Sequence, residues 1–171
     1  MHINITYSKQ NTYNYGMDVI DIELLRLLQK DALLPLTTLA KQVGLSASSV
    51  HARVGRLRSN GSIRRTVAVL DGGRLGCGMT VFVEAFIESS RHERAFVEAV
   101  RGIPEVLELH YVTGEASCLL KVKTDGLASL KALVLDRINA VKGVRQTRTV
   151  VVLSTVKEET ALNLPSPKGG A

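Results

Sequence analysis

Residues 46–58, SASSVHARVGRLR, place small hydroxyl side chains at one end and arginines at 53, 56 and 58 at the other, with no carboxylate among them. Hydroxyls and guanidinium groups in this order suit hydrogen bonding to phosphate oxygens and base edges. The bias extends further: between Ala32 and Leu70 there are six lysines and arginines and no acid, whereas between Met79 and Val156 ten basic residues face nine acidic ones. Positive charge confined to one part of a chain is the footprint of a polyanion partner, because each phosphate contacted releases condensed counterions. On charge alone, a solvated basic face explains the pattern equally well.

Bond-making chemistry finds no comparable pattern. His2, His51, His92 and His110 fall in separate segments without metal-ligand spacing. There is no G-x-S-x-G, P-loop or dinucleotide fingerprint. Cys77 and Cys118 have no C-x-x-C relation and read as reduced packing thiols. The sequence nominates no catalytic residue, no metal site and no cofactor.

The elements that must position the arginines are helical. Met17, Ile20, Leu24, Leu25 and Leu28 recur with helical spacing, with Asp18 placed as N-cap and Asp21 as the acid three residues on, predicting a first helix ending near Asp31. Thr37 is expected to cap a second helix, Gly44 to end it and Ser46 to cap a third that runs to about Asn60. Three short helices with a tight turn before the third describe a helix-turn-helix, the geometry that lays a helix in the major groove of DNA. At 100° per residue, Ala47, Val50, Val54 and Leu57 share the core stripe of the third helix and Arg58 falls toward it. Ser48, Ser49, Ala52 and Arg56 face away, with Arg53 and Gly55 at the margins, and a carboxylate on that face would be repelled by the DNA backbone. Residues 63–70 alternate as a strand leaving the module. Arg64 and Arg65 are then placed to touch flanking phosphates as a wing would, or are simply solvated.

Gly72, Gly73, Gly76 and Gly78 then mark a linker. Beyond it the pattern reads β-α-β-β-α-β: strands at 80–89, 106–113, 117–124 and 144–156, helices at 93–104 and 127–143. This is the ferredoxin-like arrangement. One sheet face would be covered by the two helices. The other, carrying either Val81, Val83, Ala85 and Ile87 or Phe82 and Phe86 with two glutamates, needs a cover, most economically a second copy of the chain.

The expected class is therefore α+β: a flexible extension at 1–16, a winged helix-turn-helix at 17–62, a strand and Gly-rich linker at 63–79, a ferredoxin-like lobe at 80–156 and a tail at 157–171. No apolar run approaches the ~18 residues of a membrane span. The first residues lack the basic start and apolar middle of a signal peptide, so a cytoplasmic location without membrane partners is expected.

Four segments in this order resemble the Lrp/AsnC family of transcription regulators: MDVIDIELLRLLQKD, TTLAKQVGLSASSVHARVGRLRSNGSI, VTGEASCLLKV and GVRQTRTVVVLSTVKE. The resemblance covers residues 17–156. It implies a lobe that binds double-stranded operator DNA, a strand linker, and an αβ lobe that dimerises through its sheet, builds tetramers, octamers or larger rings, and binds an amino-acid effector. Carried over, the effector site comprises Thr113, Gly114, Glu115, Ala116 and Ser117 at the hairpin turn, with Thr147 and Thr149 on the last strand. Asp136 on the preceding helix is placed to project toward the same crevice. The turn departs from the family's Gly-Asp-x-Asp-Tyr, lacking its second carboxylate and its ring, and Ala47 and Gly55 stand where Pro and Arg are common. Two other readings stay open: an architectural DNA-binding protein that takes no ligand, and an enzyme on the ferredoxin-like lobe.

Overall fold

In a computed structural model that describes residues 17–164, helix α1 (Val19–Lys30) begins at a reciprocal cap. The Asp18 carboxylate accepts from the amides of Ile20 and Asp21 at 3.0 and 2.9 Å, and the Asp21 carboxylate accepts from the Asp18 amide at 3.2 Å. Three of the amides at the helix start are thus satisfied by acids, which also oppose the positive end of the helix dipole. The expected extension at 1–16 lies outside the described residues, as does the tail beyond 164.

Helix α2 (Leu36–Val43) starts one residue earlier than its expected cap. Thr37 lies inside the helix, and Pro35 (φ −58°) stands at the N-cap, its carbonyl accepting from Thr38 and Leu39 at 2.9 and 3.1 Å. The φ of Pro35 suits a helix but its ψ of 144° is extended, so the helix begins only after it, and no side chain caps this end. Gly44 ends α2 at φ +68°, a left-handed conformation that glycine adopts without penalty. Ser46 then caps α3 (Ala47–Ser59), its hydroxyl accepting from the Ser49 amide at 3.2 Å. Leu24, Leu39, Ala40, Val50 and Val54 form the core of this unit.

Of the described residues, 17–68 and 159–164 belong to this unit, and residues 69–158 form the other. No strand forms over 63–70, so the expected wing or linker strand has no ladder partner among the described residues, and Val67, Val69 and Leu70 are exposed. The glycines beyond it build a hydrogen-bonded turn: Cys77 donates to the Gly72 carbonyl at 2.7 Å, and a Cβ on Gly72 would lie 2.8 Å from the Cys77 oxygen.

The second unit runs β1 (Met79–Ile87), α4 (Ser90–Arg101), β2 (Val106–Tyr111), β3 (Cys118–Thr124), α5 (Leu127–Ala132) and β4 (Val144–Val151). The sheet order is β2-β3-β1-β4 with every neighbouring pair antiparallel, the ferredoxin-like order. Val81, Val83 and Ala85 lie under the helices with Phe96, Val100 and Ile138, so the open face of β1 is the one bearing Phe82, Glu84 and Phe86. Alternation sorts the residues into two faces, since successive strand residues point to opposite sides, and the packing of the helices chooses between them.

Several boundaries differ from expectation: α4 spans Ser90–Arg101 rather than 93–104, and β1 and β2 end two residues early, at Ile87 and Tyr111. β4 stops at Val151, paired with Val81; the register would carry residues 154–156 past the start of β1 into the Gly-rich turn, where no ladder exists. The second helix does not stay α-helical. It continues from α5 as a π-helical segment over Leu133–Ile138, with the Asn139 amide reaching back to Val134 at 2.9 Å. Among the described residues no helix is long and apolar enough to cross a membrane.

Candidate nucleic-acid interface and effector site

The third helix holds its outward face as the wheel requires. Val50, Val54 and Leu57 are buried, while Ser48, Ser49, Ala52 and Arg56 are exposed and Arg53 is half-buried. The hydroxyls of Ser48 and Ser49 lie 3.0 and 2.8 Å from that of Ser46, a cluster of donors at the helix N-terminus. Arg58 is a correction: it is exposed rather than turned to the core, and no ion pair engages it among the described residues. Arg64 and Arg65 are exposed beyond the helix. A Cβ on Gly55 would meet nothing within 4 Å, so packing does not require that glycine.

Sequence reading missed what holds the two outward arginines. Arg53 donates to Asp18 at 2.7 Å and to Asp21 at 2.9 Å, and Arg56 donates to Asp21 at 2.5 Å. The Asp21 side chain is fully buried by this pairing. Burial works against ionised Asp18, but the Asp21 amide and the Arg53 guanidinium outweigh it and hold its carboxyl below the ordinary aspartate range. Arg53 is raised in turn, chiefly by its hydrogen bond to Asp18. The acids of the α1 cap thus serve twice, and the sequence showed only the first use. Each guanidinium has five N–H donors, so one or two bonds to aspartate leave others free for a phosphate or a guanine edge.

In the second unit the turn between β2 and β3 is tied to the end of β1. Ser117 donates its amide to the Ala85 carbonyl at 2.9 Å, and its hydroxyl accepts from the Ile87 amide at 3.3 Å. Ala85 pairs with Thr147 on its other side, and Val83 with Thr149. The structure therefore brings the turn and the β4 threonines to the same end of β1, with Thr147 half-buried and Thr149 exposed. Gly114 adopts φ +117° with open space where a Cβ would be, and Thr113, Glu115 and Ala116 complete the turn. Glu115 lies close enough to Arg148 to help raise it, behind the stronger hydrogen bond that Arg148 gives Glu84. Asp136 sits exposed in the π-helical segment, and no hydrogen bond or ion pair joins it to the turn or to β4.

Two depressions lie elsewhere. One of about 310 Å³ runs between α4 and β2, lined by Val97, Arg101, Leu107 and Tyr111 among others. One of about 220 Å³ in the helical unit is lined by Leu28, Leu34, His51 and Arg58 among others. Among the described residues no cluster of His, Cys, Asp and Glu has the makings of a metal site.

Comparison with known proteins decides the family. Residues 17–58 match the AsnC-type helix-turn-helix domain, and residues 80–162 match the Lrp/AsnC ligand binding domain. The chain belongs to the Lrp/AsnC family. It is 30% identical over 137 residues to regulatory protein AsnC of Haemophilus influenzae, covering 80% of this chain and 91% of that one. It is 32% identical over 146 residues to the HTH-type transcriptional regulator FL11 of Pyrococcus horikoshii, covering 85% and 95%. Among solved structures, a transcriptional regulator of Neisseria meningitidis in complex with L-Met superposes with a TM-score of 0.82 at 30% identity, covering 86% of this chain and 97% of that one. This Lrp/AsnC chain is accordingly a transcriptional regulator with a ligand-binding domain, not an enzyme.

Proposed function

We propose that this regulator binds double-stranded operator DNA through α3 and that an amino acid bound at the β2–β3 turn modulates the binding or the assembly. The observation that carries the DNA reading is the outward face of α3: small residues at its N-terminal end, where backbone and bases come close, and two arginines held in place by the acids of the α1 cap, Asp21 buried and Asp18 exposed. Ser48, Ser49, Ala52, Arg53 and Arg56 contact the groove, and Arg64 and Arg65 the flanking phosphates.

The effector reading rests on the grouping of Thr113, Gly114, Glu115, Ala116 and Ser117 with Thr147 and Thr149 at one end of β1. A zwitterion needs N–H and hydroxyl donors for its carboxylate and an acceptor for its ammonium, and this set supplies both. The L-Met complex of the Neisseria relative supports an amino acid as the class. The open face bearing Phe82, Glu84 and Phe86 supplies the dimer surface, and dimers assemble further into tetramers or octamers. Asp136 is assigned a selecting role only where such assembly brings it to the turn. The protein acts in the cytoplasm and needs no metal or cofactor.

The test is a selection of genomic fragments bound by the full chain, repeated with each amino acid. Recovered sites are expected to hold an inverted repeat with half-site centres ~34 Å, or a whole number of helical turns, apart. Recovery is expected to change with at least one amino acid. Identical recovery under every amino acid, with no change in oligomer size, removes the effector reading and leaves an architectural protein.

A further inference from the structure

Gly55 stands in the interior of α3, where a glycine lowers helix stability relative to alanine, and no packing requires it: a Cβ there would meet nothing within 4 Å. The room it leaves opens onto the depression of about 220 Å³ in the helical unit. The apolar lining comes from Leu28 of α1, Leu36 and Leu39 of α2, Leu34 between those helices and Val54 of α3. Leu39 and Val54 are buried, while Leu28, Leu34 and Leu36 are half-buried, so apolar surface remains open to the depression.

The rim is basic. His51, Gly55 and Arg58 line the depression from positions i, i+4 and i+7 of α3 and so share one flank of the helix, with about 10.5 Å of rise between His51 and Arg58. Both side chains are exposed, and among the described residues neither is engaged by a hydrogen bond or an ion pair. Arg53 and Arg56 differ, being held by Asp18 and Asp21. No acid lines the depression. Asp31, close by in sequence, has its Oδ1 accepting the Leu33 amide at 2.9 Å. An apolar body placed here therefore meets leucine and valine, an anionic head meets a guanidinium and an imidazole, and an ammonium finds no carboxylate.

We propose that this depression is a binding site for a small apolar monocarboxylate that carries no ammonium group, an arylacetic or branched-chain acid, with Arg58 and His51 donating to the carboxylate and the leucines enclosing the tail. The size agrees. A cavity of about 150 Å³ holds benzene, so the larger depression takes a ring or branched chain together with one polar head. A phosphate dianion gains nothing from the leucine floor, and a zwitterion would leave its ammonium unpaired. The site lies within the helical unit and goes beyond the effector reading, which concerns a zwitterion at the β2–β3 turn.

Methyl NMR of the full chain without DNA tests it, with phenylacetate and 4-methylpentanoate as probes. Both are expected to shift the methyl signals of Leu28, Leu36, Leu39 and Val54 saturably at millimolar concentration. No matching shift is expected from 4-methylpentylamine, L-leucine or inorganic phosphate. Arg58→Gln is expected to weaken the carboxylates on the order of tenfold, the worth of a hydrogen bond to a charged group, and to leave the neutral 4-methylpentanol unchanged. Gly55→Leu fills the gap with a better helix former and is expected to abolish binding of all three. The exposed Arg58→Gln keeps the test intact should Gly55→Leu disturb the helix. Absence of saturable shifts at these methyls overturns the site. Carboxylate binding that ignores Arg58→Gln, or equal binding by the amine, L-leucine or phosphate, overturns the ligand class. None of these readouts involves the β2–β3 turn or the operator, so failure here and failure of the effector reading are separable.

Discussion

Arg56 on α3 donates to Asp21 on α1 at 2.5 Å, and the carboxylate it meets has no exposed surface. The same carboxylate accepts from Arg53 and from the Asp18 amide, so one side chain starts the first helix and orients the third. Asp21→Asn keeps the shape but replaces an anion with a neutral amide whose nitrogen must face a guanidinium. A loss of about 1–3 kcal/mol in the helical unit is expected, the usual worth of a hydrogen bond to a charged group plus the cost of leaving it unmade. Thermal melts followed by circular dichroism check it, and a loss no larger than that of Glu23→Gln on the α1 surface would count against the assignment.

Acid should loosen the same clamp. Asp18 titrates below its unfolded value near 3.8, so its contribution to stability is present above that value and is lost as pH falls through the lower, folded one. The helical unit is therefore expected to hold its stability from neutral pH to about pH 4 and to lose it below, as the link to Arg53 is protonated away. Asp18→Asn should flatten that limb. An acid limb of equal steepness in the variant would place the loss elsewhere.

That pairing also marks where sequence reading stopped. The cap was legible because its signal is local: Asp18 and Asp21 stand three apart before an apolar helical repeat. Their grip on Arg53 and Arg56, 32 to 35 residues away, has no local signal. The β-α-β-β-α-β order followed from the pattern, but alternation left open which face of β1 is covered, and only the packed helices show that it is the one with Val81, Val83 and Ala85. The π-helical segment at Leu133–Ile138 did not, because leucine, valine and isoleucine pack at either periodicity. Thr37 looks like a cap in the sequence, yet it lies inside the helix with Pro35 at the N-cap position. Gln29 reads as an ordinary surface residue until the tail lies beside it. The family resemblance grouped the turn residues with the β4 threonines, but only the sheet order and register showed that β1 lies between them, tied to Ser117 on one side and paired with Thr147 and Thr149 on the other.

The two thiols should differ sharply in reactivity. Cys118 is buried, and burial, helped by the charge of Glu93, pushes its thiol up to about 11, so it stays protonated and shielded at neutral pH. Cys77 is exposed in the Gly-rich turn. Iodoacetamide at pH 8 is expected to modify Cys77 alone in the native chain and both after unfolding, as read by peptide mass. Prompt native labelling of Cys118 would show that β3 opens far more readily than its packing implies.

Gly143, at the corner before β4, permits a close approach. Its φ is +93°, and a Cβ there would fall 2.4 Å from the ring of His92 on α4. Its carbonyl meanwhile accepts from the Glu88 amide at 2.9 Å, so the corner cannot simply move away. Gly143→Ala is expected to destabilise the sheet unit by more than the ~1–2 kcal/mol of left-handed strain alone. Adding His92→Ala should recover the excess. A double variant no more stable than the single one in denaturant titrations would remove His92 as the cause.

The effector turn should control response without setting basal DNA affinity. Gly114 has no atom within 4 Å of a Cβ position, so Gly114→Trp fills only the space a ligand would use, at the cost of strain from φ +117°. Thr149→Val keeps the strand shape and removes one hydroxyl. Amino-acid binding is therefore expected to be lost in the first variant and weakened in the second, while operator affinity without ligand stays at the wild-type value. Linkage adds a sign-independent check: an effector that changes operator affinity by some factor must have its own affinity changed by that factor when operator is present, typically ~1–3 kcal/mol of coupling. Calorimetry with ligand alone, with operator alone and with both measures the coupling from either end. If Arg56→Ala abolishes amino-acid binding while Gly114→Trp leaves it intact, the effector sits on the helical unit and the turn has no part in the response.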